Sequence, residues 1–451
     1  MARNKRTPNP ALAGLLDQAN LTRTQLAQRV NRLGVQAGLD LHYSQSTVSH
    51  WIAGARPKPE VRALIVEALS AQLGRPVTHA EAGLTPAPSV LGSEQADTVE
   101  ELIDLGRADM DPSRRGVLAT GLFSAALAVP GFSNPAYAQA LDQPVSPGKR
   151  TIRVGASQVA AVRTMTERIA DILDELGAGH ARPMAAAFLV NTVGPWLRAQ
   201  ASEQVRLDML AAASDLTYLT GWMAMYEKAH GLGQTYYVKA LKLANEAQDH
   251  VTYCRTLRGM SLQASNLGYG RKSLELADSA AEAAPAAGPR LVAFLRGQQA
   301  HAASMVGDRD MAHSRLREAE AALSKADSRR DAIGGYDQTA WLFHLSHVLY
   351  EERDLPGSIK ALQQSIKVQP KVEKQGRVHS YALLAQRQYG YGHLDASCDS
   401  WGRFLDEYEH VSSARGDDHF ETMRTQLRRH VTARPVRELA GRAREVAALK
   451  N

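Results

Sequence analysis

The sequence is poor in cysteine, with two thiols, Cys254 and Cys398, in 451 residues. That is too few for a disulfide framework or a cysteine-rich zinc site, and a reduced, cytoplasmic setting is expected. Aromatic residues make up only 6% while alanine and leucine are plentiful, which favours helix over strand. No run alternates as a strand would. No apolar run reaches the ~20 residues of a spanning helix, so no membrane partner is expected. The N-terminus is basic but lacks an apolar h-region, so a conventional signal peptide is not expected either. Neither sign of charge dominates: 53 basic residues face 47 acidic ones, for a net +6.

That small excess is unevenly placed. Residues 1–85 carry ten Lys/Arg and only five Asp/Glu, which is +5 of the +6. A basic head on a near-neutral body suits a nucleic-acid-binding module attached to something else. The length also calls for more than one domain. Composition divides the chain into a head (1–85), a Pro/Gly/Ser/Ala-rich linker (86–150) with one apolar segment (116–129), and a body (151–451). The fold class expected is all-α: an N-terminal helical bundle, a linker and a C-terminal solenoid of the tetratricopeptide (TPR) kind.

In the head, Leu12, Leu15 and Leu16 mark a first helix. A second, with Thr24 read as its cap, carries Leu26, Ala27, Val30, Leu33 and Ala37 on one face. After Gly38, Ser44 caps a third helix with Val48 and Trp51 inward, closed by Gly54. Pro57-Lys-Pro59 opens a fourth, buried through Val61, Leu64, Ile65, Ala68 and Leu69. The string Gln45-Ser-Thr-Val-Ser-His-Trp-Ile-Ala-Gly-Ala-Arg-Pro resembles the recognition helix and following loop of the XRE-type helix-turn-helix family. The resemblance implies that Gln45, Ser46 and His50 read bases, with Ser49 beside them, that Thr24 and Gln25 donate to phosphate, and that Arg56 and Lys58 pair with phosphates. Short polar side chains at the start of a helix are what close approach to base edges requires. Two features depart from the family pattern: a longer gap before the third helix, and Ile52 where Glu is common.

The body repeats. Small residues recur where two helices of a hairpin would cross: Gly233/Tyr237/Ala240, Ser273/Ala277/Ala280 before Pro285, Ala312/Leu316/Ala319, Ser358/Leu362/Ser365 before Pro370, and Ala396. The period is nearer 40 residues than the 34 of a standard TPR. One hairpin cannot bury its apolar face alone, so neighbours stack into a solenoid. Helices at 155–177 and 183–200 precede the repeats, and 417–449 closes them. First-helix positions facing the concave groove are Tyr218, Trp222, Tyr226, Arg255, Arg258, Asn266, His301, Phe343, His347, Tyr350 and Tyr381. Aromatics with a few Arg and Asn suit an extended peptide; Trp222 and Tyr218 also read as packing between hairpins. The segments beginning Gly179-His-Ala-Arg, Gly221-Trp-Met-Ala and His230-Gly-Leu resemble an actinobacterial group of regulators, NsdA-like, that join an XRE head to a TPR body. More distantly the layout is similar to the RRNPP peptide-sensing receptors. The resemblance implies a transcription regulator and leaves its ligand open.

No catalytic constellation, metal site or cofactor motif stands out. His344-xx-His347 has helical ligand spacing but no third ligand, so core or groove histidines are expected. Ser113-Arg-Arg115, the apolar run to Val129 and Pro135-Ala-Tyr-Ala138 together resemble a twin-arginine export signal. Its position behind a DNA-binding head argues instead for a packed or linker segment over 113–138. The expectation is therefore a cytoplasmic, non-enzymatic regulator. It binds double-stranded operator DNA, most simply as a homodimer, and responds to a peptide, small molecule or protein effector in the groove. The alternative is a TPR adaptor whose main partner is another protein.

Overall fold

The computed structural model describes residues 8–36, 39, 41–73, 77, 79, 81–84, 97–111, 123–125, 127, 129–132, 153–284, 288–326 and 336–450. These residues are all-α, with no strand among them beyond an isolated bridge between Arg153 and Gln200. No helix among them is long and apolar enough to cross a membrane. Ala37, Gly38, Pro285, Pro135–Ala138, residues 113–122 and two further positions of the apolar segment, 126 and 128, each invoked above, lie outside the described residues.

The head is a bundle of α1 (Pro10–Gln18), α2 (Arg23–Gln36), α3 (Gln45–Ile52) and α4 (Pro59–Leu73). Its core is the set the periodicity marked: Leu12, Leu26, Val30, Val48, Val61, Leu64, Ile65 and Leu69 are fully buried. The cap of α2 is Thr22, not Thr24. The Gln25 backbone N–H donates to Thr22 Oγ1, and Gln25 Oε1 accepts from the Thr22 N–H at 2.8 Å, a reciprocal capping box. The long turn before α3 is held by Asn31, whose amide accepts from the Tyr43 N–H at 2.8 Å and donates to the Tyr43 carbonyl at 2.9 Å.

The stretch read as linker contains a helix, α5 (Thr98–Met110), laid against the body. Asp97 caps it by accepting from the Val99 N–H. Asp109, 1% exposed, accepts from Tyr236 Oη at 3.1 Å and from Arg182, and Glu101 bonds to Lys239. A buried carboxylate persists only with such partners.

The body follows. α6 (Ala156–Leu176) pairs with α7 (Ala178–Phe188), which runs through a π turn into the short α8 (Gly194–Leu197). Six helical hairpins come next: α9 (Glu203–Tyr226) with α10 (His230–Ala247), α11 (His250–Asn266) with α12 (Gly270–Glu282), α13 (Pro289–Met305) with α14 (Arg309–Leu323), α15 (Gln338–Glu351) with α16 (Leu355–Val368), α17 (Lys374–Gly390) with α18 (Leu394–Tyr408), and α19 (Ala414–Leu427) with α20 (Arg434–Lys450). Small residues let paired helices approach, and serine satisfies a carbonyl in doing so: Ser261 Oγ donates to Ser273 O, Ser358 Oγ to Ser346 O, and Ser397 Oγ to Ala385 O. Ser397, not Ala396, therefore holds the fifth anchor position; Ala396 is one place off the contact face.

The turns of the first five hairpins each hold one left-handed residue: Lys228, Gly268, Gly307, Arg353 and Gly392. Glycine occupies three of the five, since φ near +60 to +90° crowds a Cβ. Arg353 (φ +70°) is exposed, and its backbone N–H bonds only within the turn, to Tyr350 O, so Arg353→Gly is expected to raise stability by about 1 kcal/mol. A lowered urea midpoint for that variant would contradict this.

The solenoid closes on itself. The Gly179 N–H donates to Ser412 O at 3.0 Å and the Ser412 N–H to Leu176 O at 2.8 Å. The Ala414 N–H donates to Glu227 Oε1, and Lys228 pairs with Asp418 at 2.6 Å. The last hairpins thus meet the first, and the body is a ring.

Candidate functional site

On the head, Val48 and Trp51 turn α3 inward, leaving Gln45, Ser46 and His50 exposed on its opposite side. Arg56 and Lys58 are exposed on the loop that follows. Arg23, in the first turn of α2, donates to Ser49 Oγ at 3.2 Å, which brings the start of α2, with Thr24 and Gln25, beside this face. Ser49 is otherwise occupied, donating to Gln45 O at 2.9 Å. Gln25 spends its carbonyl on the cap and keeps Nε2 as a donor.

The inner face of the ring carries a belt of aromatic, histidine and arginine side chains. Tyr226 meets Trp222 (centroids 5.7 Å), and the Arg258 guanidinium lies over Trp222 (5.7 Å) and Phe294 (4.1 Å). His301 stacks near His347 (4.5 Å), Phe343 near His347 (4.7 Å) and His379 (5.9 Å). His379 Nδ1 and His419 Nε2 are 2.9 Å apart, and Arg415 lies over Tyr226 (4.9 Å), completing the circuit. Trp222, Tyr226, His347, His379, Arg415 and His419 keep partial exposure, so water reaches this face.

Six histidines on or beside the belt are neutral. Burial, reinforced by neighbouring arginines, holds His301 and His419 at about 4, and His230 likewise. The same causes push His344, His347 and His379 well down, with neighbouring histidines adding to the effect. Burial also draws the Arg387 guanidinium down to about 10. Both cysteine thiols are buried, and burial pushes Cys254 up to about 12, so it is no nucleophile. Among the described residues no cluster of three or more His, Cys, Asp or Glu could hold a metal.

Of the groove residues expected from sequence, Tyr218, Trp222, Tyr226, Arg258, His301, Phe343 and His347 come together. Arg255 sits with them but is committed to Asp215 at 2.8 Å. Tyr350 is exposed at the rim under Arg387 (4.8 Å), and Asn266 is exposed at the end of α11 against Met225. Tyr381 does not belong: it sits on α17 and packs toward Leu362 and Ile366 of α16, bonded to Arg377, beside a cleft of about 400 Å³. Phe294, Tyr336, His379, Arg387, Arg415 and His419 belong and were missed. A register carried through α17 and α19 would have found Arg387, Arg415 and His419. Tyr336 has no such signal, because it enters from the long connection before α15 to bond His344 Nδ1 at 3.1 Å.

On another part of the body lies a strap, residues 123–125, 127 and 129–132, none of them helical. The Ser124 N–H donates to Gln234 Oε1 at 2.8 Å, and Gln234 Nε2 donates back to Ser124 O at 2.9 Å. Tyr253 Oη donates to Pro130 O at 2.6 Å, and Phe132 stacks on His250 at 4.0 Å. Phe123 and Ala125 are buried with Tyr237, Tyr253 and Leu257. The strap also touches the head: the Ala125 amide faces the carboxyl of Glu67 on α4.

Residues 12–85 match the family described as the SP15 N-terminal domain, which covers the head and ends before α5. No curated protein matches the chain.

Proposed function

We propose that the chain is a sequence-specific DNA-binding transcription regulator whose ring-shaped body senses an effector. The observation that carries the proposal is the exposed face of α3. Its polar residues point outward while Val48 and Trp51 anchor it, and cations flank it at Arg23, Arg56 and Lys58. Such a helix meets the needs of major-groove reading: short donors and acceptors at the base edges, with guanidinium and ammonium groups on the phosphates. The resemblance of Gln45–Pro57 to XRE recognition helices supports the same assignment. One such module buries little surface, so a homodimer on an inverted repeat is the expected binding form.

The strap supplies the route between the parts. Its backbone is gripped by Gln234 and Tyr253 of the body and reaches Glu67 of the head. A ligand that favours one arrangement of the ring acts on the head only by binding two states with different affinity. The test is an electrophoretic mobility shift on promoter DNA. Gln45→Ala and His50→Ala are expected to weaken specific binding at least tenfold each, with about 1–3 kcal/mol lost per base contact. Wild-type affinity in both variants refutes the assignment.

A further inference from the structure

Three guanidiniums on the inner belt, Arg258, Arg387 and Arg415, form no ion pair with a carboxylate among the described residues, although Glu351 and Asp418 act on Arg387 and Arg415 from a distance. Arg258 is 6% exposed, has no carboxylate partner among the described residues, and its Nε finds no acceptor. Arg415 lies over Tyr226, and Arg387 lies over Tyr350 and donates to Ser346 Oγ at 2.6 Å. The nearby acids are spent or peripheral. Asp215 binds Arg255, Asp418 binds Lys228, and Glu351 and Asp174 are exposed. The three cations share one belt. Arg258 and Arg415 lie over Trp222 and Tyr226, whose rings are 5.7 Å apart, and Arg387 bonds Ser346, the neighbour of His347, which packs 4.5 Å from His301.

Burying a guanidinium without a counter-ion is costly, and stacking on an aromatic ring returns only part of that cost. The neutral histidines add no charge but keep ring N–H donors, and His301 Nδ1 is buried without a partner. We infer that the inner face of the ring binds a compact anion with at least two negative charges, borne by phosphate or carboxylate groups, held by Arg258, Arg387 and Arg415. A peptide's single terminal carboxylate would leave two of these cations unpaired. This names the chemical class of the effector and rests on reading the inner face as the sensing surface.

The test titrates the full chain with pyrophosphate and, separately, with citrate, by calorimetry and thermal unfolding at fixed ionic strength and without DNA. One saturable site is expected for at least one of the two, with a rise in unfolding temperature. Pyrophosphate binding assigns phosphate, and citrate binding assigns carboxylate. Arg258→Gln and Arg387→Gln should weaken binding at least tenfold, and the exposed Arg434→Gln should not change it. If a glutamine variant loses its helical circular dichroism, Arg258→Lys carries the test, with weaker binding and intact fold expected. Absence of binding to both anions, or full affinity in the folded variants, overturns the inference. Because no DNA is present, failure here leaves the DNA-binding proposal standing, and failure of a mobility shift leaves this one standing.

Discussion

Gly177→Ala is expected to open the ring. Gly177 has φ +93° and ψ 168°, a conformation that residues with a Cβ essentially never adopt. A Cβ there would also lie 2.3 Å from the backbone oxygen of Ser412 and 2.7 Å from Val411 Cγ1. The backbone oxygen cannot rotate away, because it accepts from the Gly179 N–H at the seam. Strain and clash together should cost on the order of 3 kcal/mol. The variant should show a lower denaturation midpoint and, in small-angle scattering, a larger radius of gyration. Gly179→Ala offers a contrast. Its Cβ would meet the Ser412 side chain, 2.2 Å from Oγ and 3.0 Å from Cβ. Ser412→Gly should therefore relieve most of the clash in Gly179→Ala, leaving only a 3.2 Å approach to the residue-412 backbone oxygen, and fail to rescue Gly177→Ala. An unchanged midpoint and radius for Gly177→Ala would mean that the seam does not hold the ring.

Glu67 gives the second large effect. It is 5% exposed, its Oε1 has no partner among the described residues, and burial pushes its carboxyl up to about 8, against a lesser opposing pull from the Ala125 amide. Below pH 4.5 the group is protonated in folded and unfolded chains alike, and burial costs little. Between pH 4.5 and about 8 the unfolded chain gives up the proton while the folded chain keeps it, so stability falls as pH rises. By pH 8 the loss is on the order of 3–5 kcal/mol. Glu67→Gln removes the ionisation, so its advantage over wild type should grow from near zero at pH 4.5 to its maximum by pH 8. The buried histidines act in the opposite sense. Their depressed values protect the fold above pH 6.5, and that protection is lost as pH falls toward 4. The difference between variant and wild type therefore isolates Glu67. Hydrogen exchange of α4 and of residues 123–132 is the suitable readout. A difference that stays flat across this range would mean that Glu67 is not buried at the junction of head and strap.

Much of this was legible in the sequence because it is written in local spacing. The head's four helices follow from Leu12, Val30, Val48 and Leu64 at helical intervals, and the hairpins follow from small residues at their crossings. Even the cap of α2 was readable, since Thr22-x-x-Gln25 is a capping-box pattern one turn ahead of the apolar face. The export-like segment was harder: composition marks 116–129 as apolar, but the seat of Ser124 depends on Gln234, more than a hundred residues away. The seam between Gly177 and Ser412 and the belt from Tyr226 around to Arg415 are likewise contacts between distant helices. Local periodicity identifies a buried face without identifying what lies opposite. Gly179-His-Ala-Arg stood out as a motif, and the structure gives it a physical reason in ring closure.

The central claim is that the head reads DNA and does so through α3. A pull-down of the tagged chain with its bound DNA from cells, followed by sequencing, measures this directly. Wild type should enrich a short inverted repeat, and Gln45→Ala/His50→Ala should lose that enrichment while remaining folded and equally abundant. Recovery of no common sequence by the wild type, or of the same sites by the double variant, would contradict it.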